Sequence, residues 1–187
     1  MVNYLIKEIL GKNINNSMRL KIGDIFTVAV SDLEVGFGQI LAFPTKSTLI
    51  ICLFDLKLAR ANNYDVTLIS KADVCMLGYS LDAKLYHKHW LVIGNIEPSK
   101  GILLPYNKVG STPDDMFLTD YKGRKLRKCS NEEFDLLNYQ TVIAPVRYEN
   151  ALKAFFNLGE WKVDDYDKLL YKYSVASNEI YNSKRIA

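Results

Sequence analysis

The fold turns on residues 21–44, KIGDIFTVAVSDLEVGFGQILAFP. Two apolar, β-branched runs, 24–30 and 37–43, lie on either side of the breaker pair Ser31-Asp32, and the second is entered through Gly36-Phe37-Gly38. Each run has the length and composition of a strand. A phosphate-cradling loop needs its glycines between a strand and a helix, whose N-terminus then holds the anion. Here Gly38 leads into Gln-Ile-Leu-Ala-Phe-Pro, which is strand-like, and neither GxGxxG nor GxxxxGK[ST] occurs. The glycines therefore predict a bulge or sharp bend in a sheet, and nothing in this stretch points to nucleotide chemistry.

Working outward, a third apolar run at 48–54 ends at Asp55, and three short strands at such spacing predict a meander. Residues 55–65 read as a helical turn fading at Asn62-Asn63, and 73–79 and 90–94 as further strands. Lys122-Gly123 sits between runs 117–121 and 124–128 and predicts a tight hairpin. Ser130 is placed to cap a helix over 130–137, with Glu132 and Glu133 near its positive end. The clearest helix is 148–159, where Ala151, Leu152, Phe155, Phe156 and Leu158 form one apolar face and Gly159 supplies a stop. A last helix is predicted over 164–175, a frayed tail from Asn178, and a short amphipathic element and loop over residues 1–20. Strands come first and helices last, without βαβ alternation. That order predicts an α+β fold: a curved antiparallel β-sheet or small β-barrel with C-terminal helices. One domain spans 1–187, with a β-rich core over 20–145 and a helical extension over 146–187.

A chain of 187 residues buries a core without disulfide staples. Its formal net charge of +3 does not by itself call for nucleic acid or membrane. Cys52, Cys75 and Cys129 form no CxxC pair, and the first two sit in apolar runs, as reduced thiols would. Residues 1–10 lack the long apolar segment and cleavage site of a signal peptide, and no stretch is long and charge-free enough to span a bilayer. The expectation is a soluble, cytoplasmic protein with no membrane partner.

Candidate chemistry is sparse. His87 and His89 are the two histidines, and in a strand both would face one side, as paired metal ligands do. No third ligand is cued, so no metal and no cofactor are expected. Cys75, His87 and Asp73 supply the residue types of a nucleophilic triad without the turn that would expose a nucleophile. Asp114-Asp115 and Glu132-Glu133 are adjacent in sequence, and adjacent side chains diverge, so neither is an acid/base pair. The densest basic run is 121–129, with Lys122, Arg124, Lys125, Arg127 and Lys128. It reads as a solvated sheet edge that resists strand addition, or as a track for a phosphate backbone. Acidic clusters at Asp114, Asp115 and Asp120, at Glu132, Glu133 and Asp135, and at Glu160, Asp164, Asp165 and Asp167 offer a negative surface to a basic partner.

Gly23-Asp24-Ile25-Phe26 followed by Gly36-Phe37-Gly38, with Trp90, Ile93, Gly94 and Pro98 further on, resembles the immunity protein 26 family over about residues 20–145. The resemblance implies a β-rich domain from bacterial polymorphic-toxin systems, one that binds and neutralises a cognate toxin and is not an enzyme. The resembling residues are glycines and apolar positions, which define a sheet and do not mark the toxin-facing surface. Inhibitors of nuclease toxins tend to be acidic, and this slightly basic chain departs from that pattern. The expected activity is therefore occlusion of a toxin protein through an aromatic centre with a charged rim. Tyr106, Tyr121 and Tyr139 with Asp114, Asp115, Asp120, Glu132 and Glu133 are the partner-binding candidates, and Phe117 is assigned to the core. The alternatives are a small-barrel nucleic-acid-binding protein using residues 121–128, and a metal-dependent hydrolase using His87 and His89.

Overall fold

The computed structural model describes residues 19–183. The amphipathic element expected near the start, and the last few residues of the tail, lie outside that range. The fold is α+β. Its main sheet is built from β1 (Asp24–Ala29), β2 (Glu34–Ala42), β3 (Thr48–Ala59), β4 (Val74–Leu81), β5 (Val92–Asn95) and β9 (Val142–Ile143), in the order β5-β1-β2-β3-β4-β9. A second sheet holds β6 (Asn107–Val109), β7 (Phe117–Thr119) and β8 (Lys125–Lys128). Short helices α1 (Val66–Ile69), α2 (Ala83–Tyr86) and α3 (Asn131–Leu136) punctuate the strands. The longer α4 (Pro145–Phe155), a single turn α5 (Val163–Tyr166) and α6 (Lys172–Ser183) close the described chain.

The expected barrel does not form. Closure requires the two end strands to meet, and here they are β5, four residues long, and β9, two. The sheet stays open and shows no strong curvature. It is also mixed: β9 runs parallel to β4, pairing Tyr79 with Val142 and Ser80 with Ile143. Both faces of β1 to β4 are covered, which is why these strands read as continuous apolar runs and not as an alternation.

One face packs Phe26, Val28, Ile40, Ile51 and Leu53 against α4 through Tyr148, Ala151 and Leu152. Trp90 joins this layer, its ring stacked on Phe26 at 5.1 Å. The other face packs Ile25, Phe37, Ile50, Cys52 and Phe54 against Ile69 and the partly buried Tyr64, Ile96 and Ile102. Buried Gln39 ties that cover down, its Nε2 donating to the carbonyls of Gly23 (3.3 Å) and Ile96 (2.8 Å).

The glycines of Gly36-Phe37-Gly38 lie inside β2, where its register against β3 shifts between Gly36 and Gly38. This is the irregularity expected from sequence, and it has a packing consequence. A side chain at Gly36 would begin 2.6 Å from Leu152 Cδ2, and one at Gly78 of β4 would begin 2.5 Å from the Tyr148 hydroxyl. The sheet thus accepts α4 through two positions that carry no side chain.

Three predicted elements differ from the observed ones. Residues 55–59 continue β3 and form no helical turn, because Glu34 and Val35 pair with Ala59 and Leu58 and Lys57 meets Glu34 at 2.9 Å. Helix α4 starts at Pro145, whose missing N–H costs nothing at that position. It ends before Asn157, which takes a left-handed φ of 60°, so Gly159 is not the stop. The last predicted helix is broken: Leu170 bridges to Met76, and the Tyr171 N–H donates to Cys75 O at 3.0 Å.

Candidate partner-binding site

The second sheet and α3 carry most of the sequence-predicted site residues, and local hydrogen bonding decides which face outward. Asp120 closes the β7–β8 turn: its carboxylate accepts from the N–H groups of Lys122 (2.9 Å) and Arg124 (3.0 Å) and from Arg124 Nε (2.6 Å). Burial works to raise its pKa, and these donors together hold the carboxyl below its ordinary value. Glu133 is equally engaged. It binds Arg127 through both oxygens (2.9 and 3.0 Å) and completes a capping box with Ser130. That contact, opposed by burial, pushes the Arg127 guanidinium up. Asp120 and Glu133 are therefore buried braces of the site. Asp114, Asp115 and Glu132 are exposed, with Asp115 paired to Lys125 at 3.3 Å. Tyr121 is half-buried against the main sheet, its carbonyl accepting from the Tyr79 hydroxyl at 3.2 Å. Phe117 is partly buried on β7, with Lys125 Nζ 4.2 Å from its ring centre.

Tyr106 and Tyr139 are brought to one cleft. It has a volume of about 230 Å³ and lies between β4, β6, the segment 136–143 and the residues leading into and along α6. Tyr106 is fixed by its N–H donating to Ser177 Oγ (3.1 Å) and by stacking on Tyr181 at 4.1 Å. Tyr139 is half exposed, at 51 %, yet held at several points. Its hydroxyl donates to Gly110 O (3.0 Å), Phe134 meets its ring edge-on at 5.9 Å, and Lys108 Nζ lies 4.9 Å from its centre. At the cleft floor the Tyr79 hydroxyl accepts from Asn107 Nδ2 (2.6 Å), and burial drives its pKa well up, so it stays neutral. Leu136, exposed at 69 %, and Val142, at 42 %, extend the apolar surface beside Tyr139.

Sequence reasoning missed Leu136, Val142, Lys168 and Tyr173. The first had a partial signal: Leu136-Leu137 is an apolar pair at the end of a short helix, where adjacent side chains diverge, and Leu137 is the buried one, at 2 %. Lys168 and Tyr173 line the cleft from either side of Leu170, where the predicted helix is interrupted by the bridge to Met76, and no local pattern announces that interruption.

The enzymatic candidates come apart. His87 and His89 are exposed in the loop after α2, not on a strand, with rings 6.4 Å apart. Among the described residues no three His, Cys, Asp or Glu side chains gather as metal ligands. Cys75 is buried on β4 with its thiol donating to Leu53 O at 3.4 Å, and burial pushes its pKa up to about 12. A thiol so protonated is a poor nucleophile. The basic hairpin is largely neutralised within the chain: Arg124, Lys125 and Arg127 pair with Asp120, Asp115 and Glu133. Among the described residues no helix is long and apolar enough to cross a membrane.

Residues 21–112 match the family model of Immunity protein 26. The matched span holds β1 to β6 and so includes Tyr106 and the floor of the cleft, whereas α3, β9 and the later helices lie beyond it. No curated protein and no solved structure matches the chain.

Proposed function

The chain belongs to the immunity protein 26 family, and we propose that it binds a cognate bacterial toxin in the cytoplasm of the cell that makes both, neutralising it by occlusion. Family membership is the observation that carries this reading, and the family is one of non-catalytic immunity proteins. The cleft face supports it physically. Tyr139 and Tyr106 are large aromatic groups already fixed in place, so little side-chain freedom is lost when a partner covers them. Leu136 and Val142 add apolar area, and the exposed Asp114 and Glu132 supply a polar rim.

The test is affinity capture by the tagged chain from a lysate of its native cell, with and without nuclease. The expected result is one protein retained after nuclease treatment. That protein, expressed alone, should arrest growth, and co-expression of this chain should relieve the arrest. Recovery of nucleic acid without a protein, lost in high salt, would overturn the proposal in favour of the basic hairpin.

A further inference from the structure

We propose that the tyrosine cleft is a socket for a single carboxylate-bearing side chain of the protein partner. The inference deepens the toxin-binding reading and rests on it for the partner being a protein.

The cleft's volume of about 230 Å³ lies below the ~300–1,000 Å³ of small-molecule pockets and suits one inserted side chain. Its charged lining consists of Lys168 alone; no Asp or Glu faces it. Lys168 is exposed, and no ion pair ties it among the described residues. The neutral groups deeper in the wall are already matched to one another, as in the hydrogen bond from Asn107 to the Tyr79 hydroxyl. The ammonium is thus the one charged donor in the lining among the described residues, and it is left over for a ligand. A carboxylate entering between Tyr106, Tyr139 and Tyr173 meets that ammonium beside low-dielectric aromatic walls, where the attraction is stronger than in open water. An entering ammonium meets a like charge with no carboxylate in the cleft lining to offset it. The chain's net charge of +3 also favours encounter with an acidic group. The acids nearby do not reverse this sign within the cleft: Asp120 and Glu133 are spent on internal contacts, and the exposed rim acids Asp114 and Glu132 are not part of its lining.

The socket is tested on the full chain by ¹H–¹⁵N NMR titration with the blocked tripeptide acetyl-Ala-Glu-Ala-amide and its Gln and Lys counterparts. Saturable shifts are expected at the amides of Asn107, Asn138 and Tyr173 with the Glu peptide. Its binding should be about fivefold tighter than that of the Gln peptide, the upper end for a solvent-accessible ion pair. Lys168→Met should abolish the preference while the rest of the spectrum stays in place, and Lys46→Met, at an exposed site, should retain it. Three results would each overturn the socket: no saturable shift with the Glu peptide, equal binding of the Gln or Lys peptide, or an undiminished preference in Lys168→Met. Failure of the toxin-binding reading is seen separately. If lysate capture yields no partner, that reading falls while the titration still decides the socket. If a captured toxin binds Lys168→Met as tightly as the native chain, the socket falls and the reading stands.

Discussion

Gly38 occupies a position with no room for a side chain. An added Cβ would lie 2.5 Å from Phe26 Cζ and 2.7 Å from the Cys52 carbonyl oxygen, and the latter cannot swing aside. Gly38→Ala should therefore cost about 1–3 kcal/mol in urea unfolding, the range of core overpacking. Gly159→Ala, whose Cβ would come no nearer than 3.8 Å to Ala154, should fall within about 0.5 kcal/mol of the native chain. Equal costs at the two sites would show that space does not set the requirement for glycine in β2. At Glu149 the residue-scale effect is electrostatic. Burial works to raise its pKa, but hydrogen bonds and charge from Lys153 and Lys84, each at 3.0 Å, outweigh it and leave the carboxyl below its ordinary value. A carboxylate depressed on folding adds stability above its unfolded pKa of about 4.3 and loses that contribution as pH falls through the folded value. Glu149→Gln should thus destabilise at pH 7 and differ much less from the native chain at pH 3. A gap that stays constant between the two would mean the ion pairs with α2 and α4 add nothing.

At the scale of elements, α3 offers a comparison between two ways of losing one brace. Ser130→Ala removes the cap that accepts from the Glu133 N–H (3.3 Å) and should lower stability by about 1 kcal/mol. Arg127→Met removes the bidentate partner of a buried carboxylate and should cost more, about 2 kcal/mol, because Glu133 then keeps its desolvation without its counter-charge. Chemical denaturation of both variants checks the order, and a larger loss from the cap would assign Glu133 mainly to capping. The cap was legible, since Ser130 and Glu133 stand three apart before an apolar pair. So were β1, β2 and β4, whose apolar runs match observed strands to within a few residues. The tail of β3 carried a signal that went unread: Asp55-Leu56-Lys57-Leu58 alternates with period two, and Leu56 and Leu58 pack inward. The break at Leu170 carried none. It exists because Met76 and Cys75, nearly a hundred positions earlier, take hydrogen bonds that helix continuation would have claimed.

At the scale of the molecule the same long-range pairing explains what was and was not legible in the site. Tyr106 and Tyr139 could be named from the sequence only as candidate aromatics, and the structure brings both to one cleft, whereas the burial of Asp120 and Glu133 depended on Arg124 and Arg127 folding back on them. Those pairs also separate the two readings of this half of the protein. If the cleft face binds a toxin, its energy resides in a few desolvated apolar groups, and Tyr139→Ala should weaken a captured partner by about 2 kcal/mol, some 30-fold. Leu136→Ala should act in the same direction by a smaller amount. Lys122→Gln with Lys128→Gln, which strips the hairpin of the cations not paired to Asp120, Asp115 or Glu133, should leave affinity unchanged. A phosphate-tracking hairpin requires the reverse: a large loss from the lysine pair, a steep decline with salt, and indifference to Tyr139. Calorimetric titration of the captured partner against these three variants at two salt concentrations distinguishes the cases, because apolar burial at Tyr139 and counterion release at Lys122 and Lys128 respond to salt in different ways.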